Sequence, residues 1–185
     1  MNQHHQETVV LQRNCKAIFV PLGLQVNAKE GTQVTILQEL GGSFTILLDG
    51  QMARVDATDA DALGRERMPL PSESYDGPID EESVTRLVWD NMRTVFDPEI
   101  PINVVDLGLV YECDISKIGK NRFGVSVKMT LTAPGCGMGD VLVADLKSKV
   151  EAVPGIDKAD VELVLDPPWT QEMMSEAARL QTGMM

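Results

Sequence analysis

The hydrophobic period changes across a chain-breaking stretch at residues 65–79, which contains Pro69, Pro71, Ser72, Ser74, Gly77 and Pro78. Proline removes a backbone donor and fixes φ, so no helix or central strand runs through such a segment. Before it, apolar residues come in short runs joined by glycine turns. After it, they recur every three or four residues. A chain of 185 residues can bury two small cores. The expected organisation is a strand-rich module over 8–64, a linker over 65–79 with the boundary near residue 75, and an α+β domain over 80–183. Charge follows the same division: residues 1–75 carry 9 acidic and 6 basic side chains, and residues 76–185 carry 19 and 10.

In the first module, Lys16–Val20 reads as a strand broken by Pro21–Leu22–Gly23. Gln33–Leu40 alternates in part, and Gly41–Gly42 turns it into Ser43–Leu48. Asp49–Gly50 then turns into Gln51–Val55. Gly-Gly and Asp-Gly between apolar runs favour hairpins because both tolerate positive φ. A small β-meander or barrel-like module is expected, with a helical turn over Asp56–Gly64. It is either a partner-binding or dimerising unit, or a layer covering one face of the second domain.

The second region begins with Asp80, a capping residue for a helix over Glu81–Phe96. Val84, Leu87, Val88, Met92 and Val95 form its apolar stripe. Asp97–Pro98 ends that helix. Strands follow at Leu109–Ile115 and Phe123–Leu131, joined by a turn at Gly119–Asn121. A helix over Asp140–Ala152 and a strand over Ala159–Leu165 come next. A last helix runs from a Thr170 cap to Leu180, with Met173, Met174 and Ala177 inward. The order α-β-β-α-β-α defines a small α+β domain.

Acidic residues outnumber Lys and Arg by 28 to 16, a net charge of -12. Such a surface repels phosphate backbones and anionic headgroups, so neither nucleic acid nor membrane is an expected partner. No run of 18 apolar residues exists, and the polar start lacks the pattern of a signal peptide; a cytoplasmic location is expected. The histidines, His4 and His5, both lie in that polar start. The folded part therefore lacks the base of a Ser/His/Asp or Cys/His site and the usual ligands of a zinc hydrolase. No Gly-Lys-Ser/Thr phosphate loop occurs. The expectation is a protein that is not an enzyme.

Three cysteines, Cys15, Cys113 and Cys136, make no Cys-x-x-Cys pair and no disulfide framework. Cys136 stands apart, between Gly135 and Gly137 at the opening of a helix, where amides and the dipole favour thiolate. It is either a metal, cluster or sulfur-chemistry thiol, or a packed thiol in a loop that needs glycine. Cys113, inside a strand, and Cys15 read as structural. Asp106, between Val105 and Leu107, either accepts amides in the turn made by Gly108 or points into a site. Asp97 and Asn103 suit loop formation. Thr130 and Thr132 end the strand that feeds the Cys136 loop. Trp169 either wedges the last helix on the sheet or meets a partner.

The run Asp97–Pro98–Glu99–Ile100–Pro101–Ile102–Asn103–Val104–Val105–Asp106–Leu107–Gly108–Leu109–Val110–Tyr111 resembles the first signature of the metal–sulfur cluster biosynthesis domain family. Met129–Thr130–Leu131–Thr132–Ala133–Pro134–Gly135–Cys136–Gly137–Met138–Gly139 resembles its second. Val153–Pro154–Gly155 and Asp166–Pro167–Pro168–Trp169 are similar to the SufT branch, as is an N-terminal extension containing Leu40–Gly41–Gly42–Ser43–Phe44–Thr45. The resemblance implies an accessory factor in iron–sulfur cluster assembly and protein maturation. It places the family's cysteine on Cys136, its aspartate on Asp106 and its threonine on Thr130. The implied cargo is a transient iron–sulfur cluster or iron. The implied partners are an assembly scaffold or carrier, client apoproteins and a second copy of the chain in a homo-oligomer. Two alternatives stand beside it: an interaction scaffold that binds no metal, and a sulfur carrier or enzyme using the Cys136 thiol. The Asp97–Leu109 and Thr132–Gly139 loops are expected to meet at one end of the sheet, with Asp106 and Cys136 within roughly 10 Å in one small pocket.

Overall fold

A computed structural model describes residues 6–135 and 137–184. The chain separates between Met68 and Pro69 into two compact units. Among the described residues no helix is long and apolar enough to cross a membrane.

The first unit is one six-stranded antiparallel sheet in the order β1-β4-β5-β6-β2-β3. Its strands are β1 (Glu7–Val10), β2 (Cys15–Phe19), β3 (Gln25–Ala28), β4 (Gln33–Leu40), β5 (Ser43–Leu48) and β6 (Gln51–Val55). The glycine turns work as their chemistry requires. Asp49 and Gly50 take φ of 50° and 82° between the paired residues Leu48 and Gln51. Two successive positive φ values give the turn whose twist matches the flanking strands. Alternation puts Phe44, Ile46 and Leu48 of β5 into the core, beside Val34 and Ile36 of β4. The register of β4 on β5 slips between Ile36 and Gln38, so Leu37 is a bulge, and the alternation of β4 ends there. The expected helical turn is a 3-10 run, Ala57–Leu63, capped by the Asp56 carboxylate and ended by Gly64 at φ 71°.

The second unit packs α1 (Glu81–Met92) and α2 (Gly139–Glu151) on a three-stranded sheet, β7 (Val110–Gly119), β8 (Arg122–Met129) and β9 (Ile156–Leu163). The β7–β8 hairpin is antiparallel and β9 lies parallel to β8, so α2 is the crossover. Asp80 caps α1 in a reciprocal box with Ser83. The stripe of α1 is buried as its spacing requires, but the helix ends at Met92 rather than Phe96. The cause is tertiary: the Val95 carbonyl accepts the Val104 amide at 2.8 Å, and Phe96 bridges Asn103.

Two further expectations are corrected. Pro69–Ile79 is folded onto the second unit. Ser72 is 1% exposed and its amide donates to Asn91 Oδ1 at 3.1 Å, while Tyr75 and Ile79 pack on the core. The last helix is also broken. A 3-10 turn (Gln171–Met173) is followed by extended Met174, and α3 (Glu176–Thr182) starts from Ser175. Ser175 Oγ accepts the Ala178 amide, whereas Thr170 makes no such side-chain bond. Helix phase shifts accordingly, so Met174 and Ala178 are buried and Ala177 is exposed.

Candidate functional site

The site is built from the two loops at the end of the sheet where β7 begins and β8 and β9 finish. The first loop is anchored by four apolar side chains. Ile102, Val104, Leu107 and Leu109 are at most 4% exposed. With these turned inward, Asn103, Val105, Asp106 and Gly108 are left half-buried at the rim.

Asn103 organises the turn. Its Oδ1 accepts the amides of Val105 at 3.1 Å and Asp106 at 2.9 Å. Its Nδ2 donates to Asp106 Oδ2 at 2.6 Å. The Asp106 side chain therefore takes its hydrogen bond from Asn103, and the amide-binding part in this turn falls to Asn103. Gly108 closes the turn at φ 75°, with its amide donating to the Val105 carbonyl.

Asp97 joins the loops. It is 5% exposed, and its Oδ1 accepts the amides of Glu99 at 2.9 Å and Ile100 at 2.8 Å. Thr132 Oγ1 donates to its Oδ2 at 3.4 Å, across from the loop after β8. Thr130, 1% exposed, donates its amide to the Leu109 carbonyl at 2.8 Å. The two loops thus meet as expected. Burial raises the Asp97 carboxyl above its ordinary range, because the charged form loses solvation that the two amides and the hydroxyl only partly replace.

Beyond Thr132 the second loop reaches Gly135, at φ 82° with open space where a side chain would stand, and Gly137, which is exposed. Gly135 is needed for its backbone angle. Cys136 lies outside the described residues, as do His4 and His5, and with it the expected spacing to Asp106. Met138, fully buried, precedes the first turn of α2 without a side-chain cap. The other cysteines behave as packed thiols. Burial pushes the Cys113 thiol up to about 11 and raises that of Cys15. Both are therefore protonated at neutral pH and poor metal donors. Among the described residues no group of three or more His, Cys, Asp or Glu side chains is placed to hold a metal ion.

Trp169 also reaches this site. Its ring packs on the core and its Nε1–H donates to the Leu107 carbonyl at 2.7 Å, within the Asp106 turn. Sequence reasoning missed two companions. Tyr111 Oη–H donates to the Pro167 carbonyl at 2.7 Å, and the Ser175 amide donates to the Asp106 carbonyl at 2.8 Å. The polar ends of Trp169 and Tyr111 are the signal that could have found the first tie, because such groups seek acceptors when half-buried.

Comparison with known proteins places the second unit in a family. The family model described as "iron-sulfur cluster assembly protein" matches residues 86–163, inside the second unit. A Porphyromonas gingivalis protein named "Fe-S protein maturation auxiliary factor" is 46% identical over 103 residues, which are 56% of this chain and 90% of that protein. The Staphylococcus aureus "Fe-S protein maturation auxiliary factor SufT" is 39% identical over 89 residues, covering 48% of this chain and 97% of its own. A crystal structure of a domain of unknown function from Bacillus anthracis has 31% identity and a TM-score of 0.50, covering 56% of this chain and 95% of that one. The chain belongs to the iron–sulfur cluster assembly protein family.

Proposed function

We propose that this chain is an accessory factor in maturing iron–sulfur proteins, in which the two joined loops receive iron or an iron–sulfur cluster as cargo and pass it on. The observation that carries this reading is the Asp97–Thr132 junction. It ties the Asp97 end of the first loop, which also carries the Asn103–Asp106 turn, to the loop whose sequence bears Cys136 between two glycines. Cys136 supplies the soft ligand. Asp97 and Thr132 hold the two loops together, Thr130 fixes the end of β8, and Asp106 places a carboxylate at the rim. Cys15 and Cys113 are protonated packing thiols, so one thiolate per chain is available. Four-sulfur ligation then requires thiols from a second copy, a carrier or scaffold, or a client apoprotein. That shortage suits transfer better than storage. No chemical step is assigned to the protein itself; its part is to bind, hold and release.

The test is Cys136→Ser, which keeps size and a hydroxyl but removes the ionisable thiol. The variant is expected to unfold within a few degrees of the wild type, yet fail to support cluster-dependent enzyme activities in a deletion strain. Reconstituted with iron and sulfide, the wild type is expected to show charge-transfer absorption with one cluster per two or more chains. Equal loss of stability and activity would make Cys136 a core thiol. Normal client activities in the deletion strain under high iron–sulfur demand would end the maturation reading.

A further inference from the structure

The segment after β9 runs outside the core. Leu165 is 54% exposed, and Asp166, Pro167 and Pro168 are exposed too. Burial therefore does little to fix it until Trp169 and Met174. What fixes it is a set of polar ties, all directed at the strand and turn that carry Asp106. Trp169 Nε1 donates to the Leu107 carbonyl, the Ser175 amide to the Asp106 carbonyl, and Tyr111 Oη to the Pro167 carbonyl, at 2.7, 2.8 and 2.7 Å. Tyr111 Oη also lies 3.5 Å from Met173 Sδ. The fit is close enough to exclude a side chain at residue 108. A Cβ there would stand 2.2 Å from the Met173 carbonyl oxygen.

We propose that residues 166–175 form a strap that positions the Asp106 turn, with Trp169 as the pin. The bonds end on the carbonyls of Asp106 and Leu107, two adjacent peptide units, and so restrain the tilt of the backbone from which the Asp106 carboxylate projects. Asn103 then sets the side chain on that fixed backbone through the 2.6 Å bond from its Nδ2. Trp169 is thus a positioning residue, acting on the site through Leu107. The inference rests on the reading of Asp106 as part of the cargo site.

Trp169→Phe keeps an aromatic ring on the core and removes the Nε1–H donor. In the full chain, amide exchange followed by NMR is expected to show the Ser175 proton exchanging about fivefold faster, the effect of one hydrogen bond. The Val127 amide in β8 should be unchanged. The Asn103 side-chain amide resonance, set by the Asp106 carboxylate, should shift, and cluster loading of a client apoprotein should fall severalfold. Unchanged Ser175 and Asn103 signals would overturn the strap. So would parallel acceleration at Val127, which would make Trp169 a general stabiliser. Loosening without loss of loading, while Asp106→Asn does lose loading, would overturn the positioning role alone. Full loading by Asp106→Asn as well would bring down the site reading and this inference together.

Discussion

At the scale of single residues, the site's carboxylates differ in what their surroundings ask of them. Asp97 is buried and its carboxyl binds a proton more tightly in the folded chain than in the unfolded one. Such a group makes stability fall as pH rises from the ordinary carboxylate value, about 4, through its raised folded value. Asp97→Asn keeps an oxygen for the Glu99 and Ile100 amides and an amide group to face Thr132. Urea denaturation between pH 4 and 7 is expected to show the wild type losing stability relative to this variant as pH rises, with the gap levelling off above the folded pKa. A gap that stays constant with pH would mean that Asp97 titrates as an exposed carboxyl does. Gly108→Ala joins an unfavourable positive φ to a clash with the Met173 carbonyl, so a loss of about 2–4 kcal/mol is expected from thermal unfolding. A shift under 0.5 kcal/mol would mean that the segment at Met173 gives way easily. The identity of these residues was legible in the sequence. The division of labour was not, because Asn103 and Asp106 are equally good turn formers and only the folded loop shows which oxygen takes the amides.

At the scale of elements, what the sequence disclosed were the features with a local cause. Asp49–Gly50 and Gly41–Gly42 made their hairpins, and the α1 stripe buried Val84, Leu87, Val88 and Met92. The strands β1 and β3 went unread because each is four residues long, lies at an end of the sheet and exposes at least half of its side chains. The break at Met174 was hidden for a different reason: Thr170 and Ser175 are both competent caps, and the Ser175 amide is recruited by the distant Asp106 carbonyl. Asn91 shows the same dependence on the rest of the chain. It sits on α1 with no exposure, and its Nδ2 donates to Ser72 Oγ and the Lys149 carbonyl, both at 2.8 Å. One amide thereby holds the 71–74 turn, α1 and the end of α2 together. Asn91→Ala would leave the Ser72 amide and the Lys149 carbonyl buried without this partner, at a cost of about 2–4 kcal/mol in urea denaturation. A cost below 1 kcal/mol would mean that water replaces the side chain.

At the scale of the whole molecule, the boundary and the role of the proline stretch have to be considered together. Composition suggested a soft linker through residue 79, yet Pro69 onward belongs to the second unit, with Ser72 bonded to Asn91 and Tyr75 under the Arg86 guanidinium at 5.5 Å. Proline there stiffens a segment that packs; it does not mark a free one, since a fixed φ lowers the entropy lost on docking. About half of this chain covers 90% and 97% of the lengths of two relatives, so independent folding of the second unit is the point to test. Two truncations separate these ideas. A fragment of residues 69–185 is expected to unfold cooperatively, with the buried Ser72–Asn91 bonds intact. A fragment of residues 76–185 lacks Ser72 and Tyr75, so Asn91 is left facing a gap beneath the lost turn. It should be less stable by about 2–4 kcal/mol in the same urea titration, from the unmet amide group and the apolar contacts removed with it. Limited proteolysis of the full chain should accordingly leave a product beginning between residues 65 and 69. A stable product beginning near Asp76, together with equal stability of the two fragments, would return residues 69–75 to the linker.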